Sequence, residues 1–237
     1  MPTPNPKPAF FLDRDGVLIE EIGYISQAED VVLLPDVARA LRMIDEAGFR
    51  CCVITNQAGV ARGKFHLEAI HEVNLKIFDL LAQDDVMLRD FFACPHHPQG
   101  TVAPWNSQCA FRKPNPGLLD MAASELNISL AESFMIGDKI SDLQAGAVVG
   151  CRTALVLTGH GPDHERTVRE NAESLNLVTI ATSFIAAVEA CLELATTASA
   201  SLQDRPDIAS PRTFTCSGVC FDGRSLVPRS TSDKRGL

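Results

Sequence analysis

No apolar run in this 237-residue sequence approaches the roughly 18 residues that a membrane-spanning helix needs, so a membrane partner is not expected. Positive charge is scarce as well: 21 Lys and Arg face 30 Asp and Glu, for a formal net charge of −9. No basic block is long enough to form a stripe along a phosphate backbone, which argues against DNA or RNA as the main partner and leaves small metabolites. The opening stretch 1–8 holds prolines and one lysine but no apolar h-region, so no secretory signal is expected there. Eight cysteines could form a disulfide framework, yet Cys51 and Cys52 lie inside an apolar run and Cys151 beside a glycine. Such positions suit buried free thiols in a reducing cytoplasm. What is abundant, 46% apolar and 22% charged residues, is ordinary for a soluble globular enzyme with one sizeable core.

Short apolar runs alternate with stretches of helical periodicity. Strands are predicted at 9–12, 49–54, 86–93, 134–136, 154–157 and 177–180. Helices are predicted at 35–48, 66–83, 116–127, 141–149 and after the last strand through 194. Residues 16–34, broken by Gly23 and Pro35, read as a flap or hairpin. Residues 94–113 form a long irregular loop with Pro95, Pro98, Gly100 and Pro104, and a loop that long needs a function or an internal staple. The alternation predicts an α/β, doubly wound, mostly parallel sheet with its ligand at the carboxyl ends of the strands. Neither gap between the polar strand ends is long enough for a separate cap domain. The expected organisation is an extension at 1–8, one domain at 9–195, and a disordered tail at 196–237, where Ser, Thr, Pro, Asp and Arg replace any periodic apolar face. Cys216 and Cys220 fall in that tail with no partner His or Cys pair, and no metal role is expected of them.

The run Ala9-Phe10-Phe11-Leu12, bounded by charge and glycine, reads as a central strand buried on both faces. Its carboxyl end delivers Asp13 and Asp15. Side chains two apart on a strand point the same way, so these carboxylates share one small space unless the chain turns between them. Like charges that close need a cation, a shared proton or a phosphoryl substrate. A calcium loop of the EF-hand kind is excluded, because glycine comes fourth, at Gly16, rather than sixth. Polar residues also end later strands, as Thr55-Asn56-Gln57 and Gly137-Asp138.

Four segments carry a resemblance. Phe10-Phe11-Leu12-Asp13-Arg14-Asp15-Gly16-Val17, then Ile54-Thr55-Asn56-Gln57-Ala58-Gly59-Val60-Ala61-Arg62-Gly63, then Arg112-Lys113-Pro114, then Met135-Ile136-Gly137-Asp138-Lys139 with Asp142, resemble in order and spacing the motifs of the haloacid dehalogenase superfamily of phosphohydrolases. Within it the sequence is similar to the D-glycero-D-manno-heptose 1,7-bisphosphate 7-phosphatases, through residues 55–63 and Cys94-Pro95-His96-His97-Pro98. Histidinol-phosphate phosphatases share much of this pattern and are the alternative. The likeness covers about residues 9–194.

The resemblance implies that Asp13 is a nucleophile forming an aspartyl-phosphate, Asp15 the general acid and then base, and Thr55 and Lys113 stabilisers of the phosphoryl group. It implies Mg²⁺ held by the side chains of Asp13 and Asp138 and the backbone carbonyl of Asp15, a hard-oxygen set that suits that ion. Asp142 either orients the site or favours a helix N-terminus. Substrate contacts carried over are Glu21, Ile22, Gly23 and Tyr24 in the flap, Asn56, Gln57 and Ala58, then Arg112 and Lys139. Arg112 suits a second phosphate or sugar hydroxyls. A phosphorylated sugar is the implied partner, the cytoplasm the implied location, and a monomer the default.

The family's structural zinc uses Cys, His, Cys and Cys. Cys94, His96 and Cys109 match, but Phe111 stands where the fourth ligand should be. Three ligands leave tetrahedral Zn²⁺ open, so the loop is expected to bind zinc weakly or to have lost it, with His97 as a substitute whose side chain should diverge from that of His96. Two other classes fit these residues less well. A receiver domain carries its phosphoacceptor on a later strand than its acidic pair, unlike Asp13 and Asp15. A non-catalytic binding relative would not need the full set of Asp13, Asp15, Thr55, Lys113 and Asp138.

Overall fold

Ala9, Phe10, Phe11 and Leu12 form strand β1 (Ala9–Leu12), and all four are fully buried, Phe10 and Leu12 toward one layer of helices, Ala9 and Phe11 toward the other. The computed structural model describes residues 5–201. After β1 come α1 (Val37–Glu46), β2 (Arg50–Asn56), α2 (Leu67–Ala82), β3 (Asp90–Cys94), α3 (Gly117–Leu126), β4 (Phe134–Gly137), α4 (Ile140–Val148), β5 (Arg152–Val156), α5 (Gly161–Glu170), β6 (Leu177–Ala181) and α6 (Phe184–Ser201). The six strands make one parallel sheet in the order β3-β2-β1-β4-β5-β6.

Strand alternation divides the core. Phe10, Leu12, Val53, Phe134 and Ile136 pack with Leu41 and Ile44 of α1, Val73 and Ile77 of α2, and Phe184 and Val188 of α6. Phe11, Cys52, Ile54, Phe92 and Met135 pack on the opposite face with Leu118, Leu119 and Ala122 of α3 and Ala145 of α4. Each large apolar side chain so buried contributes about 1.5–3 kcal/mol. In α1 the buried positions are Val37, Ala40, Leu41 and Ile44, the spacing of one helix face. The strand order reverses at β1, between β2 on one side and β4 on the other, and this opens a crevice outside their carboxyl ends. Asp13 follows β1 and Asp138 follows β4, so the topology sets the two carboxylates at that crevice.

Residues 16–34 form the flap. Glu20 N–H donates to Val32 O at 3.0 Å, Leu34 N–H to Leu18 O at 2.9 Å, and Ile19 pairs with Leu33 antiparallel. Val17, Leu18, Ile19, Ile25 and Val31 anchor it in the core, while Ile22 and Tyr24 stay exposed at its tip. The long loop between β3 and α3 is tied to the loop after β2, where Thr101 and Val102 N–H both donate to Ala61 O at 2.7 and 3.0 Å. Among the described residues no separate cap domain is inserted.

One element and three boundaries depart from expectation. Helix α5 is not among the helices that the sequence predicts. β3 pairs only from Asp90, since the ladder begins opposite Cys52, although Val86 and Leu88 before it are buried. Lys7, placed in the expected N-terminal extension, donates its N–H to Asn127 O at 3.0 Å and bridges Ile128. α6 crosses the expected boundary at 195 and runs to Ser201, its Ala187, Val188 and Cys191 buried and Ala195 packed against the core. The rest of the expected tail, with Cys216 and Cys220, lies outside the described residues.

Candidate active site

The site begins with a turn. Asp13 N–H extends the sheet by donating to Ile136 O at 2.9 Å, then the chain folds back so that Leu18 N–H reaches Arg14 O and Gly16 N–H reaches Ile19 O, at 2.9 and 2.8 Å. Gly16 has φ +80°, and a Cβ there would lie 2.5 Å from Asp138 Oδ2, so both the conformation and the space require glycine. Because of this turn, Asp13 and Asp15 are not paired with each other as simple alternation would have them. Asp13 meets Lys113, and Asp15 meets Arg14 and Gln57.

Lys113 reaches the crevice from the long loop. Asn56 fixes its backbone with two reciprocal hydrogen bonds: Nδ2 donates to Lys113 O at 3.0 Å and Lys113 N–H to Asn56 Oδ1 at 3.1 Å. Its buried ammonium donates to Ile54 O at 2.6 Å and lies at ion-pair distance from Asp13 Oδ1, 2.9 Å, and Asp142 Oδ1, 2.7 Å. Burial works against the charge, but Asp13 and Asp142 prevail and hold the Lys113 pKa above its ordinary value. Burial also opposes ionisation of Asp13, where Lys113 and Lys139 prevail and lower the pKa. At Asp142 burial, aided by repulsion from Asp13, outweighs Lys113 and the pKa is raised.

Asp138 is fully buried after β4. Its Oδ2 accepts His160 N–H at 2.9 Å, and Lys139 Nζ lies 3.2 Å from Oδ1. Burial first, and then Asp13, push its pKa up to about 7. Carboxylate oxygens of Asp13, Asp138 and Asp142 all lie within 4.8 Å of one another. Three buried carboxylates against the ammonium groups of Lys113 and Lys139 leave an excess negative charge. Asp13 Oδ1 and Asp142 Oδ1 meet Lys113 at ion-pair distance but have no directed hydrogen bond. This hard-oxygen, electron-rich set fits a small divalent cation such as Mg²⁺.

Thr55 is buried near the carboxyl end of β2, and its Oγ1 accepts a hydrogen bond from Gln57 Nε2 at 2.9 Å. The same Nε2 donates to Asp15 Oδ2 at 2.8 Å. Asp15 contributes no side-chain atom to the carboxylate trio. In the flap, Glu21 Oε1 accepts Gly23 N–H at 2.7 Å and Oε2 lies 3.4 Å from Lys139 Nζ and 3.5 Å from His160 Nε2. Ile22 and Tyr24 project from it, and Lys64 Nζ lies 6.0 Å from the Tyr24 ring centre. Ala58 O accepts Arg62 N–H at 3.0 Å. Arg112 Nη1 donates to His96 O at 3.1 Å, and burial with nearby Arg62 lowers its pKa. Sequence reasoning missed His160 and left Asp142 open; only the latter carried a signal, one helical turn beyond Asp138.

In the long loop, ligand atoms of Cys94, His96 and Cys109 lie within 4.8 Å of one another, all buried, with Cys94 Sγ 3.7 Å from His96 Nδ1. Phe111 packs on the apolar cluster that contains both cysteines. His97 turns away, as expected: Arg62 Nη2 lies 3.1 Å from its Nε2, and Nδ1 accepts Gln99 N–H at 3.1 Å. Among the described residues the soft-ligand set therefore holds three.

A parallel sheet of this order, with carboxylates after β1 and β4, a hydroxyl near the carboxyl end of β2 and a buried lysine between them, defines a phosphohydrolase of the haloacid dehalogenase type. A family model described as HAD-hydrolase-like matches residues 110–179. The D-glycero-D-manno-heptose-1,7-bisphosphate 7-phosphatase of Thermosynechococcus vestitus is 41% identical over 160 residues, 66% of this chain and 82% of that protein. The D-glycero-alpha-D-manno-heptose-1,7-bisphosphate 7-phosphatase of Photorhabdus laumondii is 39% identical over 172 residues, 72% of this chain and 92% of that one. A crystal structure of D,D-heptose 1,7-bisphosphate phosphatase from B. bronchiseptica, complexed with magnesium and phosphate, superposes with TM-score 0.66 at 30% identity, covering 80% of this chain and 99% of that one. The chain belongs to the heptose-1,7-bisphosphate 7-phosphatase family of these hydrolases.

Proposed function

We propose that the chain hydrolyses the 7-phosphate of D-glycero-D-manno-heptose 1,7-bisphosphate, with Asp13, Asp15, Thr55 and Lys113 as its catalytic groups. The observation that carries this reading is the Lys113 ammonium lodged between Asp13 and Asp142 beside buried Asp138, joined with the heptose bisphosphatase relatives. Asp13 attacks phosphorus, a bond forms from its oxygen, and the bond from phosphorus to the sugar oxygen breaks with its electron pair on that oxygen. Asp15 gives the sugar oxygen a proton. It then takes a proton from water as the water oxygen bonds to phosphorus, and Asp13 is released as carboxylate with inorganic phosphate. Lys113 and the Thr55 hydroxyl stabilise charge on the phosphoryl oxygens. Mg²⁺, when held by Asp13 and Asp138 with the Asp15 carbonyl, supplies electrostatic stabilisation of the transferring group.

Substrate contacts are assigned to Glu21, Ile22, Gly23, Tyr24, Asn56, Gln57, Ala58, Arg112 and Lys139. Two of these have a part visible already: Asn56 holds the Lys113 backbone, and Glu21 joins the flap to Lys139. The three-ligand cluster of Cys94, His96 and Cys109 holds Zn²⁺ weakly at most, for want of a fourth donor at Phe111. The enzyme works as a cytoplasmic monomer in this reading; no helix among the described residues is long and apolar enough to cross a membrane. Phosphate release from both anomers of the heptose bisphosphate, with Mg²⁺, tests the reading. Turnover is expected for the bisphosphate above histidinol phosphate and is expected to vanish in Asp13→Asn; full activity in that variant, or preference for histidinol phosphate, rejects it.

A further inference from the structure

Arg14 is a buried guanidinium to which the reaction above gives no task. It is 1% exposed. Its Nε lies 3.3 Å from both Asp15 oxygens and its Nη2 3.1 Å from Oδ1, while Nη1 donates to Asn74 Oδ1 at 3.2 Å. Asn74 is a buried amide on the core-facing side of α2, between Val73 and Ile77. The Arg14 carbonyl is pinned as well, accepting Leu18 and Ile19 N–H at 2.9 and 3.2 Å. On the opposite side Gln57 Nε2 grips Asp15 Oδ2 at 2.8 Å and Thr55 Oγ1 at 2.9 Å. The Asp15 carboxyl group is thus held between two donors, one anchored on α2 and the other at the end of β2.

Stability alone does not account for this arrangement. Burying a guanidinium and an amide carries a desolvation cost, and apolar residues of similar volume are often at least as stable in such places. What a planar fork adds is direction, because it fixes the plane of a carboxyl group where a lysine would only supply a point charge.

We propose that Arg14, braced by Asn74, is a positioning residue that orients the Asp15 carboxyl group for proton transfer to the departing sugar oxygen. This rests on the reading of Asp15 as general acid. Three N–H protons meet the four lone-pair directions of the carboxyl group, because the single Arg14 Nε–H is shared by both oxygens while Nη2 takes Oδ1 and Gln57 Nε2 takes Oδ2, which leaves one direction for the transferred proton. A carboxyl group free to rotate would spend little time aligned with the ester oxygen, and fixing it beforehand lowers the barrier.

Leaving-group dependence separates this role from a structural one. A general acid matters where the departing alcohol is a poor leaving group and matters little for nitrophenolate, and kcat/KM reads the departure step rather than later hydrolysis of the aspartyl-phosphate. With Mg²⁺ present, kcat/KM is measured for the heptose bisphosphate and for p-nitrophenyl phosphate in the full chain and in Asp15→Asn, Arg14→Met, Arg14→Lys and Asn74→Leu. Arg14→Met is expected to lose about 10²-fold on the sugar ester and less than about threefold on the aryl ester, in the pattern of Asp15→Asn. Arg14→Lys should recover part of the sugar-ester loss. Asn74→Leu keeps the guanidinium and should show the same selectivity at about tenfold, which covers the case of Arg14→Met failing to fold. Equal fractional losses on both esters in the Arg14 and Asn74 variants, with Asp15→Asn still selective, overturn the proposal. Equal losses in Asp15→Asn itself overturn the acid assignment, and this proposal with it.

Discussion

Lys113 Nζ sits 2.7 Å from Asp142 Oδ1, a buried ion pair that ties the long loop to the first turn of α4. Asp142 is thereby more than a helix-start acid, although it is that too: its Oδ2 accepts Lys139 N–H at 2.9 Å. The pairing holds Lys113 against Asp13 from behind. Lys113→Met removes the cation from Asp13 and Asp142 together, leaving both carboxylates buried without it. We expect turnover to fall by about 10³-fold and stability by about 3–5 kcal/mol. Steady-state kinetics and urea unfolding in parallel check this, and unchanged stability would show that the two carboxylates find another partner.

Gly16 and Asp138 are bound by space rather than by charge. Gly16→Ala places a methyl group 2.5 Å from Asp138 Oδ2 at a φ of +80°, so Asp138 must move from the position His160 N–H helps to fix. If Asp138 holds Mg²⁺ as proposed, its displacement should weaken Mg²⁺ binding by about 10- to 100-fold, as the loss of a supporting contact does at other metal sites. Calorimetric titration with Mg²⁺ reads this apart from turnover. An Mg²⁺ affinity equal to wild type would remove Asp138 from the metal set.

The sequence showed the strand ends well because each functional strand is a short apolar run that stops abruptly at polar residues: Leu12 before Asp13, Ile54 before Thr55, Gly137 before Asp138. It did not show α5, whose buried residues are only Gly161 and Val168. With so little of that helix facing the core there is no apolar period to read, and the signals that remain are local, Pro162 in the first turn and the Glu165–Arg169 pair at 2.6 Å. The tail boundary failed in the opposite way, since Ser and Thr after Leu194 read as a break while alanines carry the helix on. Whether Asp13 and Asp15 share one space stays open in the sequence, because alternation holds only for a strand that continues, and β1 ends at Leu12 before the turn that carries Gly16. Arg14 was invisible for a different reason: its partner Asn74 lies on a separate element, and only folding brings the two polar groups together.

Burial sets an alkaline limit to stability at two thiols. Cys151 and Cys191 are fully buried, and burial raises both pKa values, that of Cys191 to about 12 from an ordinary 9.0. The neutral thiol is the form the fold accepts. Stability from this source is therefore complete below the unfolded value of 9.0 and is lost progressively as pH rises toward about 12. Each such thiol makes unfolding easier by up to about 1.4 kcal/mol per pH unit in that window. Urea unfolding at about pH 8 and about pH 10.5 should show a smaller pH dependence in Cys191→Ala than in wild type. Identical dependence in the two would mean that the Cys191 thiol ionises without opening the core.

Phe111 and the cluster of Cys94, His96 and Cys109 make the metal content of the long loop a question of one side chain. Three ligand atoms already lie within 4.8 Å, and tetrahedral zinc requires a fourth donor at about 2.0–2.3 Å. Phe111 offers none, and its ring packs with the apolar cluster instead, while His97 is engaged by Arg62 and Gln99. Packing against that apolar cluster thus replaces part of what a closed metal site would supply to the loop. Phe111→Cys restores a fourth thiolate at the cost of that packing. After dialysis against a chelator, wild-type protein should hold almost no zinc and Phe111→Cys about one ion per chain, measured by atomic emission. Zinc should also raise the unfolding midpoint of Phe111→Cys by several degrees, because a metal bound only by the folded chain stabilises it by mass action. Wild-type protein that keeps a full equivalent through the same dialysis would mean that three ligands and a water close the site, and that Phe111 does not weaken it.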